Sequence, residues 1–159
     1  MPTTETLPLS VLFERDETAW LESMSHLAAS GRYAEMDHAN LSEYLSDMAK
    51  RDRREVRSRL IILLIHLLKW EYQPNHRSGS WRGTILCQKG ELLEILESGT
   101  LYNHALSVLP RAYARARVQA AAETGLSGET FPVECRWDLE ELLADDEDAE
   151  PWLTPPVKH

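Results

Sequence analysis

His66, Lys69 and Gln73, with Arg59 and Ile62 before them, recur at helical spacing along one face. Immediately afterwards come His76, Arg77, Ser78 and Ser80, with Tyr72 and Trp81 as flanking aromatic walls. An imidazole beside a lysine in a low-dielectric pocket can have a shifted pKa and act as acid or base. An arginine and a lysine together can hold an anion. His66, Lys69, Tyr72, Gln73, Arg77, Ser80 and Trp81 therefore form the candidate polar pocket. A plainer reading stands beside it. A lone histidine in an apolar helix serves as a satisfied core residue, and a lysine there buries its stem while its amine stays in water.

Charge supplies the second constellation. Lys50–Arg59 contains Lys50, Arg51, Arg53, Arg54, Arg57 and Arg59 against Asp52 and Glu55. Lys50, Arg53, Arg54 and Arg57 share one exposed stripe and form the candidate basic contact surface. Asp138–Glu150 carries acidic side chains and no basic residue. Both segments read as solvated surface, or else the acidic tail folds onto the basic face, or each recruits a partner. The net charge of −9 opposes general affinity for nucleic acid. A nucleic-acid binder acting through Arg51–Arg59 remains a third reading, with strongly salt-dependent binding as its signature.

Other chemistry finds little support. There is no glycine-rich phosphate loop, no His-Glu-x-x-His, no nucleophile elbow and no paired-cysteine zinc pattern. His26, His38, His66, His76 and His104 are never three or four residues from one another, so no metal and no cofactor is expected. Cys87 reads as packed and inert, whereas Cys135, between Glu134 and Arg136, reads as the more accessible thiol. Tyr113 and Arg117 stand four apart with Glu123 following, as a buried polar network or a ligand-orienting set. A buried arginine must be paired, so Arg117 needs a carboxylate or carbonyl partner.

The elements that position these residues are helical, since no alternating run long enough for a sheet occurs. Asp16 caps a helix over about residues 16–30, with Trp20, Met24, Leu27 and Ala28 inward and Gly31 ending it. Asp37 caps a second, with Leu41, Tyr44, Leu45 and Met48 inward. Asp52 caps a third over roughly 53–72, unless the two run together. Pro74 ends the third by disfavouring helical geometry at Gln73. Ser80 caps a fourth over about 81–98, closed by Gly99, and Thr100 caps a fifth that Pro110 kinks or restarts and Gly125 stops. Residues 130–152 form a strap anchored by Phe131, Trp137 and Trp152, with a short helix capped by Asp138.

The chain of 159 residues suits one domain, with a core over about 13–143 and an acidic extension over 144–159. The longest uninterrupted apolar run, Leu60–Ile65, falls far short of the ~20 residues a bilayer requires, so no membrane is involved. The acidic N-terminus lacks a secretory pattern, and two distant cysteines suit a reducing compartment. A soluble, cytoplasmic protein is expected.

Leu67–Pro74 followed by Arg77–Trp81 resembles the core signature of the bacterial "domain of unknown function 29" family. The resemblance extends back to Arg57–Leu60 and forward through Ala112-Tyr113, Ala116-Arg117, Ala121–Leu126 and Thr130–Cys135. It implies a compact all-helical bundle and no established activity, so no catalytic residue is carried over. Family members often have a glycine-containing break near Ala49–Arg53, which this chain lacks. The expectation is an all-α bundle of about five main helices with a C-terminal strap and short helix. Its leading function is a non-catalytic interaction or binding module with a protein partner. The alternative is an enzyme or ligand-binding protein using the cluster around His66, Lys69 and Arg77 on an anionic or nucleic-acid substrate.

Overall fold

Leu60, Leu63, Leu64, Ile65, Leu67 and Leu68 are almost wholly withdrawn from solvent, as their unbroken apolarity requires. The computed structural model describes residues 6–144. Within these, every regular element is helical and no strand occurs. The chain divides into two compact units, one up to Lys50 and one from Arg51 onward.

The first unit holds α1 (Leu9–Arg15), α2 (Glu17–Ala29), a 3-10 turn at Tyr33–Glu35 and the opening turns of α3 (His38–Tyr72). Asp16 caps α2 by accepting from the Ala19 N–H, and Gly31 follows the helix at a φ of +70°, as expected. Trp20 is fully buried and stacks edgewise on Phe13 at 4.8 Å, with Tyr44 at 5.5 Å. Its indole N–H donates to Asp37 at 3.2 Å, so the residue that caps α3 also satisfies this core tryptophan. The sequence pattern did not anticipate α1. Leu45, expected inward, is 58% exposed.

Asp52 caps nothing. The expected second and third helices run together as the 35-residue α3, which needs no break because its middle contains neither glycine nor proline. The second unit surrounds the apolar half of α3 with α4 (Gly79–Ile95), α5 (Gly99–Thr124) and α6 (Leu139–Leu143). Ser78, not Ser80, caps α4, and Ser98, not Thr100, caps α5. In each case the hydroxyl accepts from the N–H three residues on, so each helix begins earlier than the apolar pattern implied. Pro110 lies inside α5, which continues through it. Ala105, Ala112, Ala116 and Ala120 turn wholly inward, and Gly125 ends α5 at a φ of +71°. Arg59 fastens α3 to α4, reaching Gln88 at 3.2 Å and Glu91 at 3.6 Å while pairing with Glu55 one turn back.

The strap is tied down by polar groups on α5. The Tyr113 hydroxyl donates to the Pro132 carbonyl at 2.6 Å, and Arg117 Nε donates to the Phe131 carbonyl at 3.0 Å. Phe131 inserts against Tyr72, ring to ring at 5.2 Å. Asp138 and Glu141 complete a reciprocal capping box at the start of α6. Trp152 lies outside the described residues. Cys87 is exposed and Cys135 half-buried, the reverse of expectation, because the strap folds Cys135 inward while Cys87 sits on the outer face of α4.

Candidate functional site

The candidate polar pocket resolves into fasteners. His66 Nδ1 donates to the Ile62 carbonyl at 2.8 Å, one turn back on its own helix. Lys69 Nζ stands 3.3 Å from Glu123 of α5 and 4.7 Å above the Trp81 ring of α4, so one ammonium joins three helices. Arg77 Nε donates at 2.7 Å to the Trp70 carbonyl, one of the last carbonyls of α3, and the guanidinium lies 5.0 Å from the Trp70 ring. It thus serves a helix end whose carbonyls have no partner within the helix. Gln73 follows α3 directly, and Ser80 is exposed in the first turn of α4 with its carbonyl accepting from Thr84. The structure therefore gathers Lys69, Trp81 and Glu123 in one place and spends Arg77 elsewhere. Of the pocket residues, Tyr72 packs against the strap cluster that follows and Arg77 reaches it through its charge on Glu71.

That second cluster lies under the strap. Glu71 pairs with Arg136, whose guanidinium sits 4.8 Å from the Trp137 ring. Burial nevertheless raises the Glu71 carboxyl above its ordinary range, outweighing Arg136 and Arg77. Burial also raises Tyr72 and Cys135, and it pushes Tyr113 up to about 12. The Cys135 thiol donates to the Trp137 carbonyl at 3.2 Å, and burial favours its protonated form. A cavity of about 480 Å3 beside it is walled by Leu109, Pro110, Tyr113, Val133, Cys135 and Trp137, with Glu134 and Asp138. Among the described residues the thiol is hydrogen-bonded to no base, and the charge of Glu141 acts with burial to raise its pKa.

The third site is a groove of about 380 Å3 lined by Arg53, Arg54 and Arg57 from α3 and His104, Val108 and Arg111 from α5. On α3, Arg57 follows Arg53 by four and Arg54 by three residues, which puts all three on one face. On α5, His104, Val108 and Arg111 repeat at the same helical spacing. Val108 is buried and forms the apolar floor, while the four arginines are exposed. Among the described residues none of these arginines is in an ion pair, whereas Arg59 has two carboxylates. Lys50 belongs to the first unit and is absent from the groove wall. The stripe in the sequence pointed to half of this site. Its other half, His104 and Arg111, was hidden because nothing in a single sequence pairs positions that lie on separate helices so far apart in the chain.

Among the described residues no group of histidine, cysteine and carboxylate side chains is placed to hold a metal ion. None of the helices among them is long and apolar enough to cross a membrane. A family model described as "Domain of unknown function DUF29" matches residues 12–147. No curated protein and no solved structure matches the chain.

Proposed function

The chain belongs to this DUF29 family, and from that premise we propose that it is a non-catalytic binding module that holds an acidic protein partner. The partner's carboxylates or other anionic groups settle between Arg53, Arg54 and Arg57 on one side and Arg111 on the other. One observation carries this reading: four guanidinium groups line a single groove with no carboxylate of the described residues paired to them. Like charges held together in this way repel, and an anionic partner relieves that repulsion. The polar groups elsewhere argue the same way from the other side. His66, Lys69 and Arg77 are each engaged by a carbonyl, a carboxylate or a ring, so they support helix junctions and leave little for a substrate. A bacterial, cytoplasmic setting fits the family resemblance and the free thiols.

The test is capture of partners from a native bacterial extract on the immobilised protein and on a variant carrying Arg53→Gln, Arg57→Gln and Arg111→Gln. The reading expects acidic proteins retained by the parent and lost from the variant, with elution by moderate salt. Identical capture by the two proteins would assign binding to another surface.

A further inference from the structure

We propose that the groove between α3 and α5 recognises a phosphate monoester, carried as a phosphorylated side chain on the partner. This rests on the reading of the groove as the partner-binding surface and names the group that the surface grips. The lining is the first argument. Apart from Val108, every wall residue ends in nitrogen donors, and among the described residues no side-chain carboxylate, amide oxygen or hydroxyl belongs to the wall. Such a wall selects a ligand that offers only acceptors. A phosphate monoester presents three acceptor oxygens and a charge of roughly −1.5 to −2 near neutral pH, against two oxygens and one charge for a carboxylate.

The residue type is the second argument. All four long cationic side chains are arginine, none is lysine, although lysines occur elsewhere in the chain. A guanidinium presents a planar fork that meets two phosphate oxygens at once, whereas an ammonium acts as a point charge. Forks approach from two helices, three from α3 and one from α5, so a compact tetrahedral anion can be met from opposite sides. His104 adds an imidazole on the Arg111 side. Volume is the third argument. About 380 Å3 suits one small group and its attachment, not a long stretch of chain. The overall charge of −9 penalises an extended polyanion far more than a single phosphate. That favours a phosphorylated protein segment over nucleic acid.

The experiment uses the full chain and fluorescence anisotropy with a labelled pentapeptide bearing one phosphoserine. The same peptide with serine, and with glutamate in its place, serves as control. Free O-phosphoserine and a short single-stranded oligonucleotide are competitors. The proposal expects the phosphopeptide to bind ~10-fold or more tightly than either control peptide. It also expects Arg57→Gln and Arg111→Gln each to weaken it ~10-fold, and Arg57→Lys, which keeps charge but loses the fork, to recover only part. Because these arginines are exposed, far-ultraviolet circular dichroism of the variants should be unchanged. Equal binding of the glutamate peptide and the phosphopeptide would overturn the phosphate assignment while leaving the acidic-partner reading in place. Absence of binding by all the peptides would end both. Free O-phosphoserine binding as tightly as the phosphopeptide would overturn the protein-borne source. An oligonucleotide that displaces the phosphopeptide at lower concentration, with steep salt dependence, would overturn the proposal in favour of nucleic acid.

Discussion

Tyr113 shows how one side chain can tie the strap to the bundle and also make the protein sensitive to base. Its hydroxyl donates to the Pro132 carbonyl, and burial, reinforced by neighbouring Cys135 and Tyr72, pushes its pKa up to about 12. The folded chain thus keeps this proton to higher pH than the unfolded chain, where an ordinary phenol ionises near 10.0. The stabilisation is whole below the unfolded value and drains away as pH climbs from there to about 12. Cys135 and Tyr72 are raised by the same cause and act in the same sense, Cys135 starting from 9.0. Urea unfolding should therefore show stability starting to fall near pH 9 and continuing to fall to about pH 12, by on the order of 2 kcal/mol. Tyr113→Phe should be less stable at neutral pH by ~1 kcal/mol for the lost hydrogen bond, and its alkaline decline should be shallower. A decline of undiminished depth in the variant would remove Tyr113 from the account. Glu71 tests the opposite end of the scale. Burial lifts its carboxyl and Arg136 partly restrains it, so Arg136→Gln should lift it further. Carbon-detected NMR titration of the Glu71 carboxyl would read the shift, and an unmoved midpoint would show that the ion pair contributes nothing there.

The continuity of α3 is the point at which an element decides the reading of its residues. Ala49 is an exposed residue inside the 35-residue helix, at the joint where two separate helices were the alternative. If the helix is continuous through it, Ala49→Gly should cost about 1 kcal/mol in urea unfolding, because glycine has much more backbone freedom to lose. A cost near zero would mean that position 49 lies in a fray or a break. Much of this architecture was legible in the sequence. Leu60–Leu68 announced a surrounded helix, Pro74 its end, Gly125 the end of α5 and Asp138 the start of α6. Each of those signals is local, so one sequence suffices to read it. The starts of α4 and α5 were misplaced because Ser78 and Ser98 compete with equally plausible caps two residues on. The roles of Lys69, Arg77 and Arg117 were only half legible. The need for a partner follows from their charge, but Glu123, the Trp70 carbonyl and the Phe131 carbonyl are chosen by tertiary packing. The groove was legible on its α3 side alone, since the stripe of Arg53, Arg54 and Arg57 repeats at helical spacing while Arg111 comes from another helix.

On the scale of the whole chain, a net charge of −9 coexists with a groove of four arginines, and the two act over different distances. Contact between a phosphate and a guanidinium is set within the groove and is little screened once formed, whereas the field of distant carboxylates is felt during approach. Residues 145–159 contain Asp145, Asp146, Glu147, Asp148 and Glu150 with Lys158, so they account for −4 of the −9, and a chain ending at Ala144 carries −5. Removing that segment should speed association of the labelled phosphopeptide several-fold at ~0.02 M salt, because an anionic ligand meets less repulsion. At ~0.5 M salt, where the Debye length is only a few ångström, the two chains should associate at nearly the same rate. Stopped-flow anisotropy with both proteins across that salt range measures the difference directly. A tail that instead occupies the arginine groove as an internal competitor would weaken equilibrium binding as well as slow approach, and truncation would then improve affinity even where long-range repulsion is screened. The salt dependence of the truncation effect therefore separates a distant field from direct occupancy of the groove.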